Sequence, residues 1–149
     1  MKAITLSLLL LSLVGVSRSA EKQHIAETEL NLGGVVVGQS EQDVIKRLGA
    51  PRKRTDTGEG YLFAYPGLDV YVGSYGVFDV VSKSAEHCTP SKVCPGMPVS
   101  KVKQAYGDPV VAEREQGTFL EYTPEDSTCW LQVSAPKDII RSLRIACQP

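Results

Sequence analysis

The sequence predicts an α+β fold of two tandem units. Each unit is a short helix followed by a three-strand meander, and the units build one antiparallel sheet or two abutting ones, with the helices on one face. Two observations carry this. The phrase GQSEQDVIKRLGAP at 38–51 returns as GMPVSKVKQAYGDP at 96–109, with a second glycine eleven residues after the first and a proline two further on. An internal repeat of this kind sets architecture before any single element does. Downstream of both phrases, apolar and polar residues alternate with the period of two that marks half-buried strands.

The first 19 residues stand apart. Lys2 precedes the apolar run ITLSLLLLSLVGV and the small-residue stretch SRSA, the layout of a secretory signal. About 13 apolar residues are too few to span a bilayer comfortably. No cysteine stands at the cleavage point, so a lipid anchor is not expected. Cleavage removes Lys2 and Arg18 and no acid, so the net charge of −1 becomes −3. A mildly acidic chain is a poor match for nucleic acid. Units of residues 20–87 and 88–149 follow, and neither alone is long enough to bury a comfortable core.

Residues 20–31, AEKQHIAETELN, are polar and read as a loose lead-in. The Val35–Val37 run reads as a short extended segment. Ser40 is a good N-cap, with Asp43 at the capping-box position. Val44, Ile45 and Leu48 share a helical face, Gly49 supplies the stop and Pro51 forbids continuation. A helix over 41–48 follows. RKRTDTGEG at 52–60 reads as a polar loop, its three bases solvated and soon followed by acids. Strands are expected over 61–65, 68–72 and 77–84, with Pro66-Gly67 and Gly73–Gly76 as turns. The second unit predicts a helix over 98–106, with Pro98 in its first turn and Val99, Val102 and Tyr106 as its apolar stripe. Strands near 118–123, 129–134 and 139–147 follow.

Four cysteines behind an export signal read as two disulfides. Cys129 shares parity with Leu131 and Val133, and Cys147 with Leu143 and Ile145, so neighbouring antiparallel strands would join Cys129 to Cys147. Cys88 and Cys94 close a local seven-residue loop, CTPSKVC.

The pattern Gly-x-Ser-x-x-x-Val-x-x-x-Leu-Gly-x-Pro, carried by Gly38, Ser40, Val44, Leu48, Gly49 and Pro51, resembles the β-lactamase inhibitor protein-like repeat. It is also similar to the small outer-membrane lipoproteins of the SmpA/OmlA type. The resemblance covers about residues 30–147. It implies a curved antiparallel sheet with helices on the convex side and a concave face that grips an enzyme.

If Leu62, Ala64, Val70 and Val72 face the helices, then Tyr61, Phe63, Tyr65 and Tyr71 occupy the open face, joined by Phe119 and Trp130. Such aromatics supply contact area at low entropy cost. Asp69 and Glu121 share the face and add charge specificity. Catalysis finds little support. His24 lies in the lead-in, and a metal site of His87, Cys88 and Cys94 would lack a fourth ligand at good spacing. Ser82 and Ser84 have no nucleophile-elbow context. No cofactor or metal is expected. The expectation is an exported, non-catalytic module that binds another protein in the periplasm or outside the cell, of inhibitor or immunity type. The alternatives are an envelope-assembly or maintenance factor that binds another envelope protein, and a binder of small lipid or glycan ligands.

Overall fold

The computed structural model describes residues 24–148. The expected export signal at 1–19 lies outside the described residues. The two units of one helix and three strands give way to a different architecture: among the described residues, an eight-stranded antiparallel sheet accompanied by two short α-helices. The first half contributes α1 (Glu41–Leu48), β1 (Lys53–Asp56), β2 (Tyr61–Tyr65), β3 (Leu68–Gly73) and β4 (Gly76–Ser82). The second contributes α2 (Val99–Tyr106), β5 (Val110–Arg114), β6 (Gly117–Tyr122), β7 (Cys129–Ser134) and β8 (Ser142–Cys147). The spatial order is β1-β2-β3-β4-β8-β7-β6-β5. The last strands of the two halves, β4 and β8, therefore pair at the centre, and β1 and β5 are the edges.

The strands beyond expectation are those two edges. Neither β1 nor β5 holds a fully buried residue, so neither shows the apolar alternation that announces a half-buried strand. Charge at an edge is itself functional, because it deters pairing with another chain. Lys53, Arg54 and Asp56 serve that role, and Arg54 is also held by Glu41 of α1 at 3.2 Å.

One side of the sheet carries the core. A row of paired residues, Phe63–Val70–Val80–Ile145–Leu131–Tyr122, crosses β2, β3, β4, β8, β7 and β6. All six are buried. They join Val44 of α1 and Val102 and Tyr106 of α2 in one cluster. The 20–31 lead-in proves to be packed where it is described: Ile25 and Leu30 are buried in the same core, as are Leu32 and Val35 after it. Its apolar residues are too irregularly spaced to match either period, which is why composition alone reads as loose.

The helices begin and end as their residues dictate. Ser40 Oγ accepts from the Asp43 amide at 3.1 Å. Gly49 and Gly107 take φ of 81° and 79° and donate back to Ile45 and Lys103, each at 2.8 Å. A side chain at either φ would be strained, and glycine is not. Cys88–Cys94 and Cys129–Cys147 are both disulfides. The second joins residues directly paired between β7 and β8, as the shared parity predicts.

Candidate binding surface on the open sheet face

Among the described residues no helix or segment of the core packs on the opposite side of the sheet, which carries polar and aromatic side chains. A second row of paired residues crosses all eight strands: Lys53, Ala64, Asp69, Val81, Arg144, Gln132, Glu121 and Val110. Its middle is a set of charge-neutralising contacts. Gln132 Nε2 donates to Glu121 Oε1 at 2.8 Å. Arg114 Nη2 donates to both Glu121 oxygens at 2.9 and 3.0 Å. Arg144 Nε donates to Asp79 Oδ1 and Oδ2 at 3.0 and 2.9 Å, and its Nη2 donates to Oδ2 as well. Asp79 and Glu121 are 8% and 9% exposed, so each buried carboxylate needs its arginine. The hydrogen bonds to Asp79 hold the Arg144 guanidinium above its ordinary pKa, against the opposing effect of burial.

A bulge aims these groups. The β3–β4 register shifts between Tyr71, paired with Asp79, and Val72, paired with Val77. Phe78 is the extra residue, and both Phe78 and Asp79 line the open face. Bulges re-aim side chains in this manner. Tyr71 and Phe78 form a tilted pair with ring centroids 6.1 Å apart.

A cavity of about 450 Å³ lies over this centre. Asp79, Gln132, Ser142 and Arg144 contribute from the middle strands, and Tyr71, Phe78 and Phe119 supply aromatic walls. Thr57 and Glu59 reach it from the β1–β2 turn and Gln116 from the β5–β6 turn. Those turns belong to opposite ends of the sheet, which would stand roughly 30 Å apart if it were flat. The sheet therefore curls toward its open side. A second cavity of about 610 Å³ shares Glu59, Phe78, Asp79 and Arg144 and extends to Tyr75 at the tip of the β3–β4 hairpin. Tyr75 is 98% exposed.

The expected site residues divide. Tyr71, Phe119, Glu121, Trp130 and Asp69 are on the open face; Asp69 is bound by Lys83 at 2.6 Å. The Trp130 indole N–H is buried with no protein partner among the described residues. Tyr61, Phe63 and Tyr65 are on the core side, because Phe63 pairs with buried Val70 rather than with Tyr71. The parity read for β2 is thus reversed. Phe63 is fully buried, Tyr61 lies beneath the Arg54 guanidinium at 3.8 Å, and the Tyr65 hydroxyl donates to the Gly49 carbonyl at 3.0 Å. A strand of alternating Tyr, Leu, Phe, Ala and Tyr is apolar on both sides, so alternation could not choose its buried face.

Sequence reading missed Phe78, Asp79, Gln132, Arg114 and Arg144. The available signal was a polar residue within each apolar strand, in VFDVV, CWLQV and SLRIAC. Knowing which polar residue meets which requires the β4–β8 pairing, a contact between strands more than 60 residues apart.

His87 Nε2 lies 3.0 Å from the Pro66 carbonyl oxygen and His24 Nδ1 3.1 Å from that of Thr123. Each is engaged with backbone. No group of metal-holding residues forms among the described residues. No described helix is long and apolar enough to cross a membrane.

No family model matches the chain, and no curated protein matches it. The fold is similar to that of several solved structures, among them the following three. An extracellular protein containing an SCP domain from Bacillus anthracis has a TM-score of 0.55 at 9% identity, over 94% of this chain and 50% of that one. A DUF4309 family protein from Bacillus subtilis has a TM-score of 0.54 at 10% identity, over 76% and 82%. A cysteine-rich secretory protein from Staphylococcus aureus has a TM-score of 0.50 at 12% identity, over 75% and 44%. The chain spans about half the length of the first of these. At such identities the likeness is one of fold. The two disulfides fit an exported chain.

Proposed function

We propose that this is an exported, non-catalytic protein-binding module of inhibitor or immunity type, which receives another protein on its open sheet face, in the periplasm or outside the cell. One observation carries the reading. The curled open face sets Tyr71, Phe78 and Phe119 around a self-neutralised polar centre, with Tyr75 fully exposed at its rim. Part-buried aromatics around satisfied polar groups are the composition of interface anchors. The resemblance of the two glycine-to-proline phrases to the β-lactamase inhibitor protein-like repeat points the same way. Non-catalytic work fits the chemistry of the face. Asp79 and Glu121 are each engaged by an arginine, and all four cysteines are held in disulfides.

The experiment is capture of partners from envelope extract and culture medium by the mature chain and by a Tyr71→Ala/Tyr75→Ala variant. Recovery of a soluble enzyme by the wild type alone, with its activity suppressed in the complex, supports the proposal. Recovery of an outer-membrane assembly component supports an envelope-assembly role instead. Equal recovery by wild type and variant would show that the open face is not the interface.

A further inference from the structure

We propose that the 450 Å³ cavity at the centre of the open face binds a neutral saccharide of one or two rings. The cavity lies in the size range of small-ligand sites. Its chemistry selects among ligands. Arg144 commits Nε and Nη2 to Asp79, which leaves Nη1 to donate. Gln132 commits Nε2 to Glu121 through one N–H, which leaves its carbonyl oxygen to accept and its other N–H to donate. The Ser142 hydroxyl does both. Donors and acceptors thus stand side by side on the floor, while the charges beneath them cancel in pairs.

Other ligand classes fit this floor poorly. An anion would compete with Asp79 for Arg144 and would face Glu59 at the mouth. A cation would meet the outward guanidinium. A purely apolar ligand would strip water from Gln132 and Arg144 and return nothing, at about 1–3 kcal/mol for each stranded group. A sugar hydroxyl donates and accepts at once, and a sugar ring also has a C–H face. Phe119 on one wall and the Tyr71–Phe78 pair on the other, tilted at 52°, supply the flat apolar surfaces for that face. This goes beyond protein binding: the sugar site shares Tyr71, Phe78 and Phe119 with the proposed protein-binding face but leaves out the Tyr75 rim, so Tyr75→Ala tells the two apart.

The test is a titration of the mature, disulfide-bonded chain with chitobiose and with maltose, both neutral, followed by amide chemical shifts in two-dimensional NMR. Glucuronic acid and glucosamine serve as charged controls. The expected result is saturable shifts with one neutral sugar, clustered at Phe119, Gln132, Ser142 and Arg144. Phe119→Ala and Tyr71→Ala are each expected to weaken that binding by about tenfold or more. Both side chains are partly exposed, so each variant should keep a native spectrum, which the same experiment reads. Tyr75→Ala should bind the sugar as the wild type does while losing any captured protein. No saturable shift with either neutral sugar overturns the proposal. So do shifts scattered outside the cavity, or charged sugars that bind as well as neutral ones.

Discussion

The Tyr65 hydroxyl donates to the Gly49 carbonyl at 3.0 Å, tying β2 to the end of α1. The second half repeats the contact: Tyr122 donates to the carbonyl of Gly107 at 3.1 Å, tying β6 to the end of α2. In each case a helix-terminal carbonyl that lacks an intrahelical partner finds a buried or half-buried phenol. Tyr122→Phe is expected to cost about 1 kcal/mol of unfolding free energy and Tyr65→Phe somewhat less, because its bond is nearer water. The sites are remote in the sheet, so the double variant should show the sum. Urea unfolding measures all three. A Tyr65→Phe variant that binds a partner normally but unfolds early would establish Tyr65 as a strut, and normal stability would remove the strut.

The same tyrosines give stability an alkaline limit. Burial, with the nearby Asp108 charge, pushes the Tyr122 phenol up to about 12. Burial and the Glu29 carboxylate raise Tyr106 further still. Burial, then Glu41, raises Tyr65. The folded state thus holds these protons more tightly than the unfolded chain, in which a tyrosine titrates near 10. The resulting contribution is fully present below pH 10 and is lost as pH climbs through about 12. Melting temperature should fall across that window, and Tyr122→Phe should flatten the fall. An unchanged slope in the variant would assign the alkaline loss to other groups.

What was legible in the sequence followed from local chemistry. The Ser40 cap, the Gly49 and Gly107 stops and the shared parity of Cys129 and Cys147 each need only neighbouring residues, and each is present. The edge strands were not legible, because β1 and β5 bury no side chain fully and so leave no periodic trace. The buried face of β2 was not legible either, since both of its faces are apolar. The polar centre of the candidate surface was hidden most deeply. It depends on one bulge at Tyr71/Val72 and on the meeting of β4 with β8. Both are consequences of the whole sheet rather than of any segment.

The two disulfides should differ in worth. Cys129–Cys147 spans a sequence separation of 18 and Cys88–Cys94 one of 6. Restricting the unfolded chain is worth roughly 3 kcal/mol for the longer loop and roughly 2 kcal/mol for the shorter. The Cys129→Ala/Cys147→Ala variant should therefore lose more stability than Cys88→Ala/Cys94→Ala. The shorter loop has a second task. It carries Thr89 and Ser91, which meet Tyr106 and Glu29 at 2.7 and 2.9 Å and join the N-terminal segment to α2. A larger loss from opening 88–94 would mean that this network outweighs the loop entropy.

Burial should decide which ion pair on the open face matters. Asp79 is 8% exposed and is bridged by Arg144, whereas Lys83, the partner of Asp69, is more than half exposed. Asp69→Asn removes a pair that water already screens, and a change below about 0.5 kcal/mol is expected. Asp79→Leu leaves Arg144 beside an apolar group, partly able to reach solvent, so about 1–2 kcal/mol should be lost. Replacing both Asp79 and Arg144 by leucine removes the stranded charge and should recover much of that loss. The cycle of single and double variants in urea gives the coupling directly. Additive losses would show that the pair contributes nothing as a pair. A positive coupling would show that the central charges of the face are held together by each other, and so are neutral toward whatever the surface receives.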